Sequence, residues 1–71
     1  NKMDEPRLSL EDEKYLNMIN KLNAQDLISL NKSKEVELGL ADSDMDYKLI
    51  LECERKIAMI DAVLQARALK N

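Results

Sequence analysis

Apolar residues in the last third of the chain follow one another at alternating steps of three and four. This spacing places side chains on one stripe of an α-helix. The stripe consists of Ile50, Cys53, Ile57, Ile60 and Leu64. The pattern predicts one amphipathic helix over residues 44–69, with this stripe packed in the protein's own core.

A second, looser apolar stripe lies beside the first on the same predicted helix. It consists of Met59, Ala62, Val63, Ala66 and Leu69. One facing helix covers a stripe about 100° wide, so a single neighbour leaves the second stripe uncovered. The sequence therefore predicts a further neighbour, which is another copy, a partner protein or a curled N-terminus.

The first half of the chain has a weaker helical pattern, predicted to run over residues 10–38. Ser9 precedes it as an N-cap, with Asp12 three residues later as in a capping box. The residues expected on its core face are Leu16, Ile19, Leu27 and Leu30. The polar run 31–35 then interrupts this face. It indicates either a solvated stretch of continuous helix or a break near Asn31.

The predicted connection between the two helices covers residues 39–43. Gly39 is the only glycine of the chain and suits a helix C-terminus, and Ser43 repeats the capping pattern of Ser9. A short connection favours antiparallel neighbours. The predicted fold is therefore all-α, with two long antiparallel helices forming a helical hairpin over residues 9–71. Residues 1–8 are a polar lead-in and a candidate for disorder, and whether Asn1-Lys2 precedes a native start at Met3 stays open.

The composition agrees with this class and limits the function. One glycine and one proline in 71 residues disfavour a β-rich fold. So short a chain buries a small core, and a single cysteine without histidine offers neither an internal disulfide nor a zinc site. We therefore expect stabilisation by oligomerisation or a partner.

Charge and targeting signals favour a cytoplasmic protein that binds other proteins. The net charge is −3, and the basic residues are spread along the chain, which disfavours nucleic-acid binding. No apolar run approaches the about 18 residues of a membrane-spanning helix, so membrane insertion is not expected. No signal peptide is recognised, and a lone thiol fits a reducing compartment.

Enzymatic chemistry is not expected from these residues. Without histidine there is no imidazole base for a nucleophile. The acids of Asp42–Asp46 resemble a calcium loop superficially, but Tyr47 and Cys53 stand where its glycine and glutamate belong. Cys53 is interpreted as a small buried apolar residue. We expect no catalytic residue, cofactor, metal or small-molecule substrate.

The two tyrosines are candidates for partly buried rings or for anchors in a partner interface, where tyrosine is enriched. Tyr15 lies early in the first predicted helix and Tyr47 opens the second. We interpret Tyr47 and the second stripe together as the partner interface. This candidate interface comprises Tyr47, Met59, Ala62, Val63, Ala66 and Leu69.

A family resemblance is carried by Tyr47-Lys48-Leu49 and the run Arg55-Lys56-Ile57-Ala58-Met59-Ile60-Asp61-Ala62-Val63-Leu64, together with the polar segment 30–34 and Gly39. The chain resembles the YscE-type family of type III secretion over residues 27–65. The resemblance implies a cytosolic bacterial co-chaperone that pairs with a helical-repeat chaperone and keeps the needle subunit soluble.

Two alternatives to the co-chaperone stay open at the level of sequence. One is a self-associating hairpin that dimerises into a four-helix bundle. The other is a small phage or bacterial regulator that binds a transcription factor or polymerase. All three hypotheses require a protein surface rather than an active site.

Overall fold

The computed structural model describes residues 9–70, which form three helices: α1 (Leu10–Asn20), α2 (Ala24–Ser43) and α3 (Tyr47–Lys70). All secondary structure in this range is helical, which confirms the all-α prediction. The prediction of only two helices is wrong, because the first predicted helix is divided into α1 and α2. The predicted lead-in over residues 1–8 lies outside the described residues.

The division of the first helix falls at residues 21–23, where local capping outcompetes helix continuation. Asn23 has extended backbone angles, and its side-chain oxygen accepts a hydrogen bond from the backbone N–H of Asp26 at 2.7 Å. Asparagine offers such local bonds readily, so it favours helix starts over helix interiors. The chain turns at this corner, so α1 and α2 are separate helices, and each of them packs against α3.

Helix α2 continues through both positions at which the sequence predicted an interruption. Asn31 is helical, and its side chain donates to the Asp61 carboxylate at 3.0 Å. Gly39 is also helical and has no positive φ. The predicted connection over 39–43 is therefore wrong: Ser43 is the last residue of α2 and does not cap α3.

The turn between α2 and α3 is a Schellman motif closed by a methionine. The backbone N–H of Met45 donates to the carbonyl of Asp42 at 3.1 Å, and that of Asp46 donates to Ala41 at 2.9 Å. Met45 has φ +56°, a left-handed conformation usually taken by glycine. The Asp46 carboxylate then caps α3 by accepting from the N–H of Leu49 at 3.2 Å.

The core forms where the three helices meet. Ile19 from α1, Leu27 from α2, and Ile60 and Val63 from α3 make one buried cluster. Half-buried apolar side chains pack against this cluster: Tyr15, Leu16, Leu22, Leu30, Met59 and Leu64. Cys53 and Ala41 are buried nearer the α2–α3 turn. The other predicted core residues, Ile50 and Ile57, are half-buried.

Replacing Gly39 by alanine should stabilise the protein. Residue 39 is helical, and a Cβ added there meets no atom within 4 Å. Alanine is favoured over glycine in a helix by about 1 kcal/mol, which corresponds to a rise in melting temperature of about 4–8 °C in a domain of this size. The measurement is thermal unfolding followed by circular dichroism. Ser33→Ala, at another exposed position of α2, is the matched control and should give a smaller gain. A lower melting temperature for Gly39→Ala would contradict the helical assignment of residue 39.

Residue 45 should prefer glycine over methionine. Left-handed backbone costs an L-residue roughly 1–2 kcal/mol, and the greater freedom of glycine in the unfolded chain offsets part of this. We expect Met45→Gly to raise the free energy of unfolding by about 1 kcal/mol, measured by urea denaturation. Met45→Val should lower it, because a β-branched side chain tolerates positive φ poorly. Equal stability of the two variants would argue against the Schellman turn.

Candidate protein-interaction surface

The structure separates the predicted interface residues into two groups. Tyr47, Ala62, Ala66 and Leu69 are exposed, with 66% of Tyr47 and 88% of Leu69 accessible. Met59 is half-buried and packs on the core cluster. Val63 is only 7% exposed and belongs to that cluster, so its prediction as an interface residue is wrong. The neighbour that covers this part of the second stripe is α1.

Two further residues join the exposed group on the outside of α3. Leu51 is 63% exposed and Ala58 is exposed as well. We call the exposed apolar residues that run along this side the outer stripe. The outer stripe comprises Tyr47, Leu51, Ala58, Ala62 and Leu69. Ala66 is also exposed but lies about 70° from the centre line of this stripe and is not part of it.

The outer stripe is held on one side of α3 by an 11-residue spacing. Tyr47, Ala58 and Leu69 are 11 residues apart in turn, and so are Leu51 and Ala62. Eleven residues make about three turns, so the stripe drifts by only about 20° per repeat. The spacing is visible in the sequence. Steps of three and four from the core stripe do not reach Leu51 and Ala58, so the apolar pattern of the core gives no sign of them.

Polar contacts show that the outer stripe faces away from both other helices. On one border, Arg55 lies beside α1, with its guanidinium 3.4 Å from the Asp12 carboxylate. On the other border, Asp61 lies beside α2 and accepts from Asn31. The stripe between these borders is therefore the side of α3 that neither neighbour covers.

Arg67 makes the second polar contact that holds α1 on α3. Its guanidinium donates to the backbone carbonyl of Asn20 at 2.9 Å, at the helix end where carbonyls lack intrahelical partners. A cation at this end also complements the helix dipole. Arg55 thus fixes α1 near its start, and Arg67 and the buried Ile19 fix it near its end.

Beneath α1 lies a group of polar side chains close to the core. Lys34 and Glu37 form an ion pair at 3.1 Å, and the Lys56 ammonium lies 5.3 Å from the centre of the Tyr15 ring. The hydrogen bond from Lys34 to Glu37 raises the pKa of Lys34, so the ammonium is retained. Burial raises the pKa of Tyr15 and of Cys53. The tyrosine and the cysteine are therefore held neutral, which suits a structural role better than a reactive one.

Residues 9–70 were compared with the requirements of a metal site and of a membrane-spanning helix. This part of the chain contains no group of three or more carboxylate or thiol side chains placed to hold a metal ion. Nor does any of its helices combine the length and apolar character needed to cross a bilayer.

Comparison with known proteins gives no assignment for this surface. The chain matches no protein-family model, and no curated protein or solved structure matches it significantly. The resemblance to the YscE-type family therefore stays a prediction.

Removing the hydroxyl of Tyr15 should stabilise the fold. The hydroxyl oxygen is buried and finds no hydrogen-bond partner among the described residues. A buried polar group left without a partner costs about 1–3 kcal/mol, so Tyr15→Phe should raise the free energy of unfolding by about 1 kcal/mol. Urea denaturation measures this change. Tyr47→Phe is the control, because the exposed ring of Tyr47 should give a change within about 0.5 kcal/mol. Destabilisation by Tyr15→Phe would contradict a hydroxyl that lacks a hydrogen-bond partner.

Proposed function

We propose that this protein is a non-enzymatic protein-interaction module that docks through the outer stripe of α3. The observation that carries the proposal is the exposure of Tyr47, Leu51 and Leu69 along one helix whose opposite side forms the core. Isolated exposed apolar residues are ordinary. A line of them on one helix face is the pattern by which helices bind a groove or a second helix.

The side-chain sizes along the outer stripe suit a helical partner. Ala58 and Ala62 occupy its middle and allow another backbone to approach closely, while Tyr47 and Leu69 lie near its two ends. Each Å² of apolar surface removed from water stabilises a complex by about 25 cal/mol of free energy. Tyrosine is also enriched among the residues that contribute most to binding free energy. We expect Tyr47 to be the principal anchor.

For the cellular role, we propose a cytoplasmic type III secretion co-chaperone. In this role the chain pairs with a helical-repeat chaperone, and the pair keeps the needle subunit soluble before export. The support is the resemblance of residues 27–65 to the YscE-type family together with an exposed apolar helix face. Masking an aggregation-prone helix requires such a face and needs no active site.

A charged side chain in the outer stripe should abolish partner binding. We expect tagged wild-type protein to capture a helical-repeat protein from a lysate of its source organism, identified by mass spectrometry. Ala62→Asp should reduce this capture at least tenfold, because docking would bury an unpaired carboxylate. Ala62 is exposed, so helicity by circular dichroism should be retained.

Ser33→Asp introduces the same carboxylate on the exposed side of α2 and is the matched control. It should capture as much partner as the wild type. Equal capture by Ala62→Asp would contradict docking through the outer stripe. Absence of a helical-repeat protein from the wild-type capture would contradict the co-chaperone role.

A further inference from the structure

The two borders of the outer stripe carry opposite charge. With successive residues about 100° apart around the helix, Lys48 and Arg55 lie about 60° to one side of the centre line of the stripe. Glu54 and Asp61 lie about as far to the other side. All four side chains belong to exposed residues. The docking face of α3 is therefore a nearly uncharged strip between a basic border and an acidic border.

This arrangement distinguishes the two ways in which α3 can pair with α3 of a second copy. In a parallel pair related by a two-fold axis along the helices, the basic border of each copy lies against the acidic border of the other. In an antiparallel pair the two-fold axis is perpendicular to the plane that contains both helices. Each border then meets the same border of the other copy. Acidic Glu54 and Asp61 would then face each other. Complementary borders are what fixes orientation in paired helices.

We propose that a second copy of this chain covers the outer stripe, with the two α3 helices parallel. The inference rests on the docking role proposed above and names what occupies the stripe in the purified protein. Each stripe residue then packs against its own counterpart, as an interface with two-fold symmetry requires. Pairing of Ala58 and Ala62 with the same residues of the partner brings the helices close, and Tyr47 and Leu69 close the two ends.

The charges that lie nearly level across such an interface are Glu54 and the partner's Arg55. They are one residue apart in number, which is an axial offset of about 1.5 Å. The existing contact of Arg55 with Asp12 is long, at 3.4 Å, and the Arg55 side chain is 62% exposed. A guanidinium carries five donors, so Arg55 binds Asp12 and the partner's Glu54 at once. Two-fold symmetry supplies this ion pair twice.

The test is the oligomeric state of the full chain and of four variants, measured by light scattering and by analytical ultracentrifugation over a concentration series. The wild type should be a dimer. Ala62→Asp, in the middle of the outer stripe, should weaken the dimer at least tenfold. Glu54→Lys places a basic residue opposite the partner's Arg55 and should raise the dissociation constant at least tenfold. Glu54→Lys combined with Arg55→Glu restores the opposite charges and should return the constant to within about threefold of the wild type. Ser33→Asp, on α2, should leave it unchanged.

The relative direction of the two α3 helices, parallel or antiparallel, is tested separately by an engineered disulfide. Leu51→Cys places thiols opposite each other only in the parallel pair, since in the antiparallel pair residue 51 lies opposite residue 65. Oxidation should therefore give a covalent dimer with Leu51→Cys and none with Ser33→Cys. The native Cys53 is buried and serves as an internal control, because the wild type should form no covalent dimer.

Each contrary outcome overturns a distinct part of the proposal. A tighter dimer in Glu54→Lys would show antiparallel pairing, and a dimer unaffected by Ala62→Asp would place the contact on another face. A wild type that stays monomeric at all concentrations overturns pairing altogether. If that monomer still captures a helical-repeat protein through Ala62, the docking role stands and only the second copy as occupant is wrong.

Discussion

The cluster of Ile19, Leu27, Ile60 and Val63 is the contact on which the rest of the structure depends. Each helix contributes to it, and α1 has no other fully buried side chain. A helix of 11 residues is marginal in isolation, so the burial of Ile19 is what keeps α1 folded. A small core concentrated in one cluster leaves the other apolar residues of a short chain near the surface.

Helix α3 has a neighbouring helix on two of its three sides, which leaves one side free for docking. It packs against α2 on one side and α1 on another, and its third side is the outer stripe. The core stripe repeats every 7 residues, as in Ile50, Ile57 and Leu64, whereas the outer stripe repeats every 11 residues. A 7-residue period favours a left-handed supercoil and an 11-residue period a right-handed one. The core stripe and the outer stripe of α3 thus suit neighbouring helices that cross α3 with opposite handedness.

The sequence predicted α3 well and the first half of the chain poorly, for reasons visible at individual residues. The core stripe of α3 is a regular apolar pattern, and its length leaves little doubt about the type of element. The break at Asn23 depends on one side-chain cap, and several other asparagines nearby offered the same signal. Gly39 suggested a helix end, although glycine permits left-handed backbone without requiring it. The left-handed residue is Met45. The hydrogen bonds that close the α2–α3 turn require this conformation, although methionine disfavours it.

The residues predicted for the interface differ in exposure for a related reason. Tyr47, Ala62, Ala66 and Leu69 are exposed, whereas Val63 is buried, because α3 has two neighbouring helices and the sequence pattern indicates one. Once α1 is separate from α2, it occupies the space beside Val63 and Met59. Which residues of α3 are exposed therefore depends on how many helices the rest of the chain forms.

The burial of Cys53 gives this protein a built-in reporter of its own motions. The thiol is 2% exposed, so a thiol reagent reaches it only when the helices separate. Burial also raises the pKa of this thiol, which keeps it in the unreactive neutral form while the helices are packed. The rate of modification then follows the fraction of time that α2 and α3 are apart. Opening can be timed in the unlabelled native chain, and the effect of a bound partner on it can be read from the same atom.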